Sequence, residues 1–393
     1  MSKNSAPTAY KNSKYSKYTN STNRNSNHTK ENDQTTSKLQ PSKTKQPPCK
    51  LKPSLASNLA EAPATVHAMA IDKLYLDLAL SAPELEAVVS RAASLKAEGM
   101  LSRGSSQGTF FKMAYYLKLG SGAIARLHLI PTGAATTFNF QMVLNPNQMA
   151  CSDCEDLINL MKSLFPTTAL KMMRSMLVRR IDLCIEITLP VDMLLIELDG
   201  TQVGTKIFVK TDRWAKLQTV YAGSVTSKHH GIAYDLNASD DFKRQVGEKP
   251  SRVKLEDDAE LSLSRVKDRT RLESRRVFDS APVTLAELAE IKDPFGDYRI
   301  MELKSQAFKG DLGFCSYIEC VRIRGINGAR KYLLANCGGK DFSAQISAWE
   351  SKLASMAAVW WKPEQHAASL LATLKQSAAW KFIRPMARNK AND

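Results

Sequence analysis

The chain has 393 residues, a net charge of +16 and a hydrophobic share of 43%, enough to fill a core. No apolar stretch approaches the roughly 18–20 residues of a membrane span. Met1 to Asn20 is polar and lacks the apolar centre of a secretion signal, so the expected compartment is the cytosol. The positive excess favours a polyanionic partner, nucleic acid above all, over a merely solvated basic surface.

From Met1 to about Ala64 the chain is rich in Ser, Asn, Thr, Lys and Gln, with eleven Lys and Arg against two acids up to Ala60. Such a segment cannot bury enough apolar surface to offset chain entropy, and a disordered basic tail is expected over 1–64. Tyr10, Tyr15 and Tyr18 alternate there with Lys11, Lys14 and Lys17. That pattern suits either stacking on single-stranded DNA or simple solubility.

The folded part is expected to begin near Val66 with a strand in "MAIDKLYLDLAL". Ser81-Ala-Pro-Glu84 carries a capping box with proline just inside the helix start, predicting a helix to about Glu98. Strand-like segments follow around a Gly120-Ser-Gly122 turn and in "TTFNFQMVLNP". Helices are predicted over about 152–164 and 168–176. Cys151 and Cys154 have CxxC spacing without a clear second pair, which favours helix-start thiols over zinc. The seven scattered cysteines read as reduced.

"LVRRIDLCIEITL" is an alternating, β-branched strand; "VGTKIFVKT", "LQTVYAGS" and "HGIAYDL" predict further strands. A charged connection, Arg244 to Asp268, leads to the strand "DRTRLESRRVF". "TLAELAEIKDPFGDY" predicts a helix and turn, and from about Asp311 the spacing is mainly helical. The expected class is α+β, with an antiparallel sheet over 65–310 and a helical region over 311–393.

Asp182 and Glu186 are four apart on one strand and so share a face with Cys184, away from the row Ile181, Leu183, Ile185 and Ile187. They are either solvated or half of a hard-metal site, since Mg²⁺ and Mn²⁺ take carboxylate oxygens. Glu273 sits among Arg271, Arg275 and Arg276, which also suits an exposed cross-strand salt bridge. There is no Walker loop, GxGxxG, GxSxG or HExxH. Between Tyr221 and Tyr234 lies a basic, hydroxyl-rich stretch with Ser224, Ser227, Lys228, His229 and His230. It is either a hairpin loop or a place where a phosphate lies near a tyrosine.

Three segments together resemble rolling-circle replication initiators of the trans-acting plasmid family, a layout shared in outline with filamentous-phage replication proteins. "RIDLCIE" is similar to their Arg-Ile-Asp…acid strand. "TVYAGSVTSKHHGIAYD" is similar to their Tyr-x-Gly-Ser-x-x-Ser segment and following tyrosine. "TRLESRRVF" is similar to their Arg-x-Glu strand. The likeness spans about residues 66 to 310. It implies a nicking enzyme in the bacterial cytoplasm that links a tyrosine to the 5′ end of a cut DNA strand, aided by Mg²⁺ or Mn²⁺. Tyr234 matches the nucleophile, with Tyr221 as the alternative. Asp182, Glu186 and Glu273 match the metal-holding acids. Ser224, Ser227, Lys228, His229, His230, Arg271 and Arg275 are the expected DNA contacts.

The expected partners are origin DNA, double- and single-stranded, and a host helicase. Ile232 and Leu236 stand where the family has arginine and lysine. Two other readings therefore stay open: a related strand transferase of conjugal mobilisation or integration, and a non-catalytic DNA-binding replication regulator.

Overall fold

A computed structural model describes residues 66, 69–105, 110–133, 137–199, 206–209, 217–223, 228–237, 239, 269–278, 281–291, 295–337, 340–366 and 370–387. The tail expected over 1–64, the connection from Arg244 to Asp268, and both Ser224 and Ser227 lie outside the described residues.

The strands are β1 (Ala70–Leu78), β2 (Ser102–Arg103), β3 (Phe111–Lys118), β4 (Ile124–Pro131), β5 (Phe140–Leu144), β6 (Leu177–Ile187), β7 (Leu194–Leu198), β8 (Lys206–Val209), β9 (Leu217–Ala222), β10 (His229–Asp235), β11 (Thr270–Val277) and β12 (Tyr298–Glu302). Ten of them form one antiparallel sheet in the order β2-β3-β4-β5-β1-β6-β11-β10-β9-β8. β7 and β12 pair separately as a two-stranded ribbon. Both are short and follow loops, and the sequence pattern did not announce them.

Alternation decides which face is apolar. Leu74, Leu76 and Leu78 of β1 and Ile181, Leu183, Ile185 and Ile187 of β6 are buried in the main core. The helices α1 (Ala82–Ala97), α2 (Asp153–Leu164) and α3 (Ala169–Ser175) add Val88, Ala92, Leu95, Leu157, Met161, Leu164, Met172 and Met173 to the same core. Each fully buried side chain of this kind contributes roughly 1.5–3 kcal/mol by leaving water.

Local chemistry sets where these helices begin. The Glu84 carboxylate accepts from the Ser81 amide at 2.8 Å and from its hydroxyl at 2.7 Å, closing the predicted start of α1. In the first turn of α2, buried Asp153 accepts from the Ala150 amide, the Ser121 amide and the Ser121 hydroxyl. Asp156 accepts from the Gly120 amide at 2.8 Å. One acidic helix start thus holds the β3–β4 turn against the core.

The remaining helices are α4 (Leu285–Glu290), α5 (Leu312–Cys337), α6 (Lys340–Ala354), α7 (Pro363–His366), α8 (Leu370–Gln376) and α9 (Trp380–Ile383). α5 is broken at Gly325, whose φ of 69° is left-handed. Residues after 311 are mainly helical, and they share their packing with the strands. Leu370, Leu374, Phe382 and Ile383 join the main core. Phe314, Tyr317, Ile346 and Trp349 form a second core with Leu195 of β7 and Met301 of β12. Trp360 and Trp361 are partly buried, and their indole N–H groups donate to Glu302 and to the Tyr298 carbonyl. None of the described helices is long and apolar enough to cross a membrane.

Gly231 lies under the Tyr298 ring, where an added Cβ would meet a ring carbon at 2.5 Å. Gly231→Ala should therefore lower stability by roughly 1–3 kcal/mol through overpacking. A urea midpoint that does not move would refute this packing.

Candidate functional site

The site is the polar face of the sheet's centre, opposite the leucine and isoleucine rows. Antiparallel register brings opposed side chains to the same face. One row across the strands is Thr219, Tyr234, Arg271 and Glu186. The next is Tyr221, Ile232, Glu273 and Cys184. A third is His230, Arg275, Asp182 and Lys73. So the three expected acids and both candidate tyrosines do share a face.

That face is buried, and it is filled by ion pairs. Arg271 has no solvent exposure, and Asp182, Glu186 and Glu273 are buried as well. Arg271 donates through Nη2 to Glu186 Oε1 at 2.8 Å and reaches Asp72 Oδ1 through Nη1 at 3.5 Å. Arg269 Nη1 approaches the other Glu186 oxygen at 3.5 Å. Asp182 takes both ends of Arg180, Nε at 2.7 Å and Nη2 at 2.5 Å, with Arg275 Nε at 3.4 Å from Oδ1. Arg180 also lies over the Tyr75 ring, 4.6 Å from its centroid. The alternative reading of Glu273 as part of an exposed salt bridge does not hold, because β11 runs in the middle of the sheet and Glu273 is buried.

Tyr234 is partly buried, and its hydroxyl donates to Glu273 Oε1 at 2.7 Å, diagonally across β10 and β11. Burial and the adjacent Glu273 charge push the phenol well above its ordinary value of 10.0. Burial and the negative charge of Asp72 raise the Glu273 carboxyl, opposed by Lys73 and by the hydrogen bond from Tyr234. A carboxylate of raised affinity for protons therefore sits against a phenol that gives its proton up reluctantly.

The expected DNA contacts divide. His230 is buried on the site face, opposite Arg275. His229, one residue away, points to the other face, where Arg276 Nη1 lies 2.8 Å from its Nδ1 and Asp297 lies 3.5 Å away. Lys228 is exposed just before β10. Arg275 is partly exposed and paired with Asp182. Arg271 is wholly buried, so its reach is confined to Glu186, Asp72 and what enters beside them.

The acids were considered above as ligands for Mg²⁺ or Mn²⁺. Such an ion needs about six oxygens, at 2.0–2.1 Å for Mg²⁺. Among the described residues, no group of three or more His, Cys, Asp and Glu side chains is placed to hold a metal ion. The physical reason is visible: Asp182 and Glu186 each have both oxygens turned to guanidinium groups, and Glu273 is bonded to Tyr234. As arranged, this donor set does not fit a divalent cation.

Asp72 and Arg269 belong to the site and were not singled out in the sequence. Strict alternation would put Asp72 with Leu74 and Leu76, in the core. A register shift between Ile71 and Lys73 lets it reach Arg271 and Lys73 instead. Arg269 precedes β11, and only the sheet register brings it to Glu186.

A scan against protein-family models gives no match. A search of curated proteins gives none either. Among solved structures, the chain is similar to a rolling circle replication initiator protein from Geobacillus stearothermophilus, at 8% identity and a TM-score of 0.28, covering 54% of this chain and 75% of that one.

Two outcomes follow from this geometry. Arg271→Met leaves buried Glu186 and Asp72 without their shared cation and should cost about 3–5 kcal/mol in denaturant unfolding. The double change with Glu186→Leu should recover part of that loss; full additivity would refute the pairing. The second outcome concerns pH. Burial and Arg276 hold His229 down at about 4, against an ordinary 6.5. The unfolded chain then binds the extra proton first, so stability present above pH 6.5 is lost as pH falls towards 4. His229→Gln should flatten the unfolding midpoint across that window, and an unchanged slope would count against it.

Proposed function

We propose that this chain nicks and reseals one strand of DNA through a tyrosine–5′-phosphate intermediate, in the manner of a rolling-circle replication initiator. The supporting observation is the 2.7 Å hydrogen bond from Tyr234 to Glu273 beside buried Arg271. A phenol is a poor nucleophile while it holds its proton. A carboxylate with raised proton affinity, already hydrogen-bonded to that phenol, is suited to take the proton as attack begins.

In this reading Tyr234 Oη attacks the scissile phosphorus and its proton passes to Glu273. The bond from phosphorus to the 3′ oxygen breaks, and that oxygen takes up a proton to become a free 3′ hydroxyl. The phosphotyrosine ester keeps the 5′ end on the protein. Resealing is the reverse, with Glu273 returning the proton to the phenol. Cationic side chains near the attacked phosphate stabilise the charge that develops on it, an effect strongest where water is excluded. Lys228 and Arg275 mark the proposed route for the DNA backbone. Origin DNA is the proposed substrate, and a host helicase the proposed partner.

One observation favours the non-catalytic regulator. Leu236, two residues after Tyr234 where the resemblance would place a lysine, is fully buried, so it is a core residue. Incubation of the full chain with the supercoiled replicon that encodes it separates the readings. Relaxed circles carrying covalent protein are expected. Tyr234→Phe should abolish them, Glu273→Gln should slow them by about 10²–10⁴-fold, and Tyr221→Phe should leave them. Sequence-specific binding without any cleavage would instead identify a regulator.

A further inference from the structure

We infer that guanidinium groups, Arg271 foremost, take the place of a divalent cation on this face, so that its acids bind no metal and the strand transfer proceeds without one. The inference rests on the strand-transfer reading for its chemistry, but it has a readout of its own.

Three observations carry it. The first is position. Arg271 lies in the register row between Tyr234 and Glu186, and Glu273 is two residues along the same strand. An ion shared by Asp182, Glu186 and Glu273 would centre on the row of Glu273 and Cys184, between the row of Arg271 and that of Arg275. The second is charge. The cluster holds four carboxylates, Asp72, Asp182, Glu186 and Glu273, and five cations, Lys73, Arg180, Arg269, Arg271 and Arg275. A set with one more positive charge than negative attracts a phosphate and repels a second cation.

The third is donor geometry. Both Asp182 oxygens are held by Arg180 at 2.5 and 2.7 Å, and Glu186 Oε1 by Arg271 at 2.8 Å. To enter, a metal would have to displace at least one guanidinium and leave it charged and unpaired, most severely at wholly buried Arg271. A guanidinium can do the same electrostatic work. It is planar, permanently charged and matched to phosphate oxygens through paired N–H donors. Glu186 holds Nη2 and Asp72 lies 3.5 Å from Nη1, while the buried Nε has no hydrogen-bond partner among the described residues.

Two measurements on the full-length protein test this. Calorimetric titration with Mn²⁺ alone should show no saturable site up to millimolar metal, in the wild type and in Glu186→Gln alike. Nicking of the supercoiled replicon should persist in excess EDTA and be lost in Tyr234→Phe. A one-to-one Mn²⁺ site that disappears in Glu186→Gln would overturn the inference. So would nicking that EDTA abolishes and Mn²⁺ restores. If no nicking occurs under any condition, the strand-transfer reading fails, and the Mn²⁺ titration still decides whether Arg271 has taken the metal's place.

Discussion

A guanidinium with no access to water must have its charge answered inside the protein, and Arg271 is that group here. The cost of removing a charge from water is large, and only close, well-oriented carboxylates offset it. Glu186 at 2.8 Å and Asp72 at 3.5 Å supply them from β6 and β1. Those two strands flank one another at the sheet's centre, with β11 on the far side of β6. The ion network therefore spans three strands and constrains their register. A one-residue slip of β11 against β6 would turn Arg271 into the apolar core and face Leu272 to the acids.

The same constraint explains the division of the sheet. One face carries leucine and isoleucine rows under helices, and the other carries alternating charge of both signs. A network of this kind gives little net stability when compared with a well-packed apolar core. What it does provide is a preorganised electrostatic environment around Tyr234 and Glu273. Water-poor surroundings strengthen every interaction there, which is the setting that the proposed proton transfer from Tyr234 to Glu273 requires. The reluctance of Tyr234 to ionise and the raised proton affinity of Glu273 both come first from burial. They are two effects of one cause.

His229 and His230 show how finely the strand divides its surroundings. They are adjacent, yet the pleat sends His230 to the site face and His229 to Arg276, Asp297 and the Tyr298 ring. A basic loop read as a unit is in fact split between two environments. Gly231, next in line, is needed because the Tyr298 ring lies against its backbone. The stretch that drew attention in the sequence is therefore partly a packing element.

Much was legible from residue order alone. The capping box at Ser81 marked α1, the alternation in "LVRRIDLCIEI" marked β6 and its apolar face, and period-two spacing placed Asp182, Cys184 and Glu186 together. These follow from local sterics and side-chain period, which need no knowledge of neighbours. The pairing of each acid did not follow. Whether Glu273 was a metal-holding acid or an exposed salt bridge depended on β11 lying between β6 and β10, and Asp72, not singled out in the sequence, reaches Arg271 only through a register shift. The chain itself determined which residues could meet on a face. Only the tertiary fold decided that arginines answer the acids, because strand order, bulges and burial are long-range outcomes that spacing along one strand does not contain.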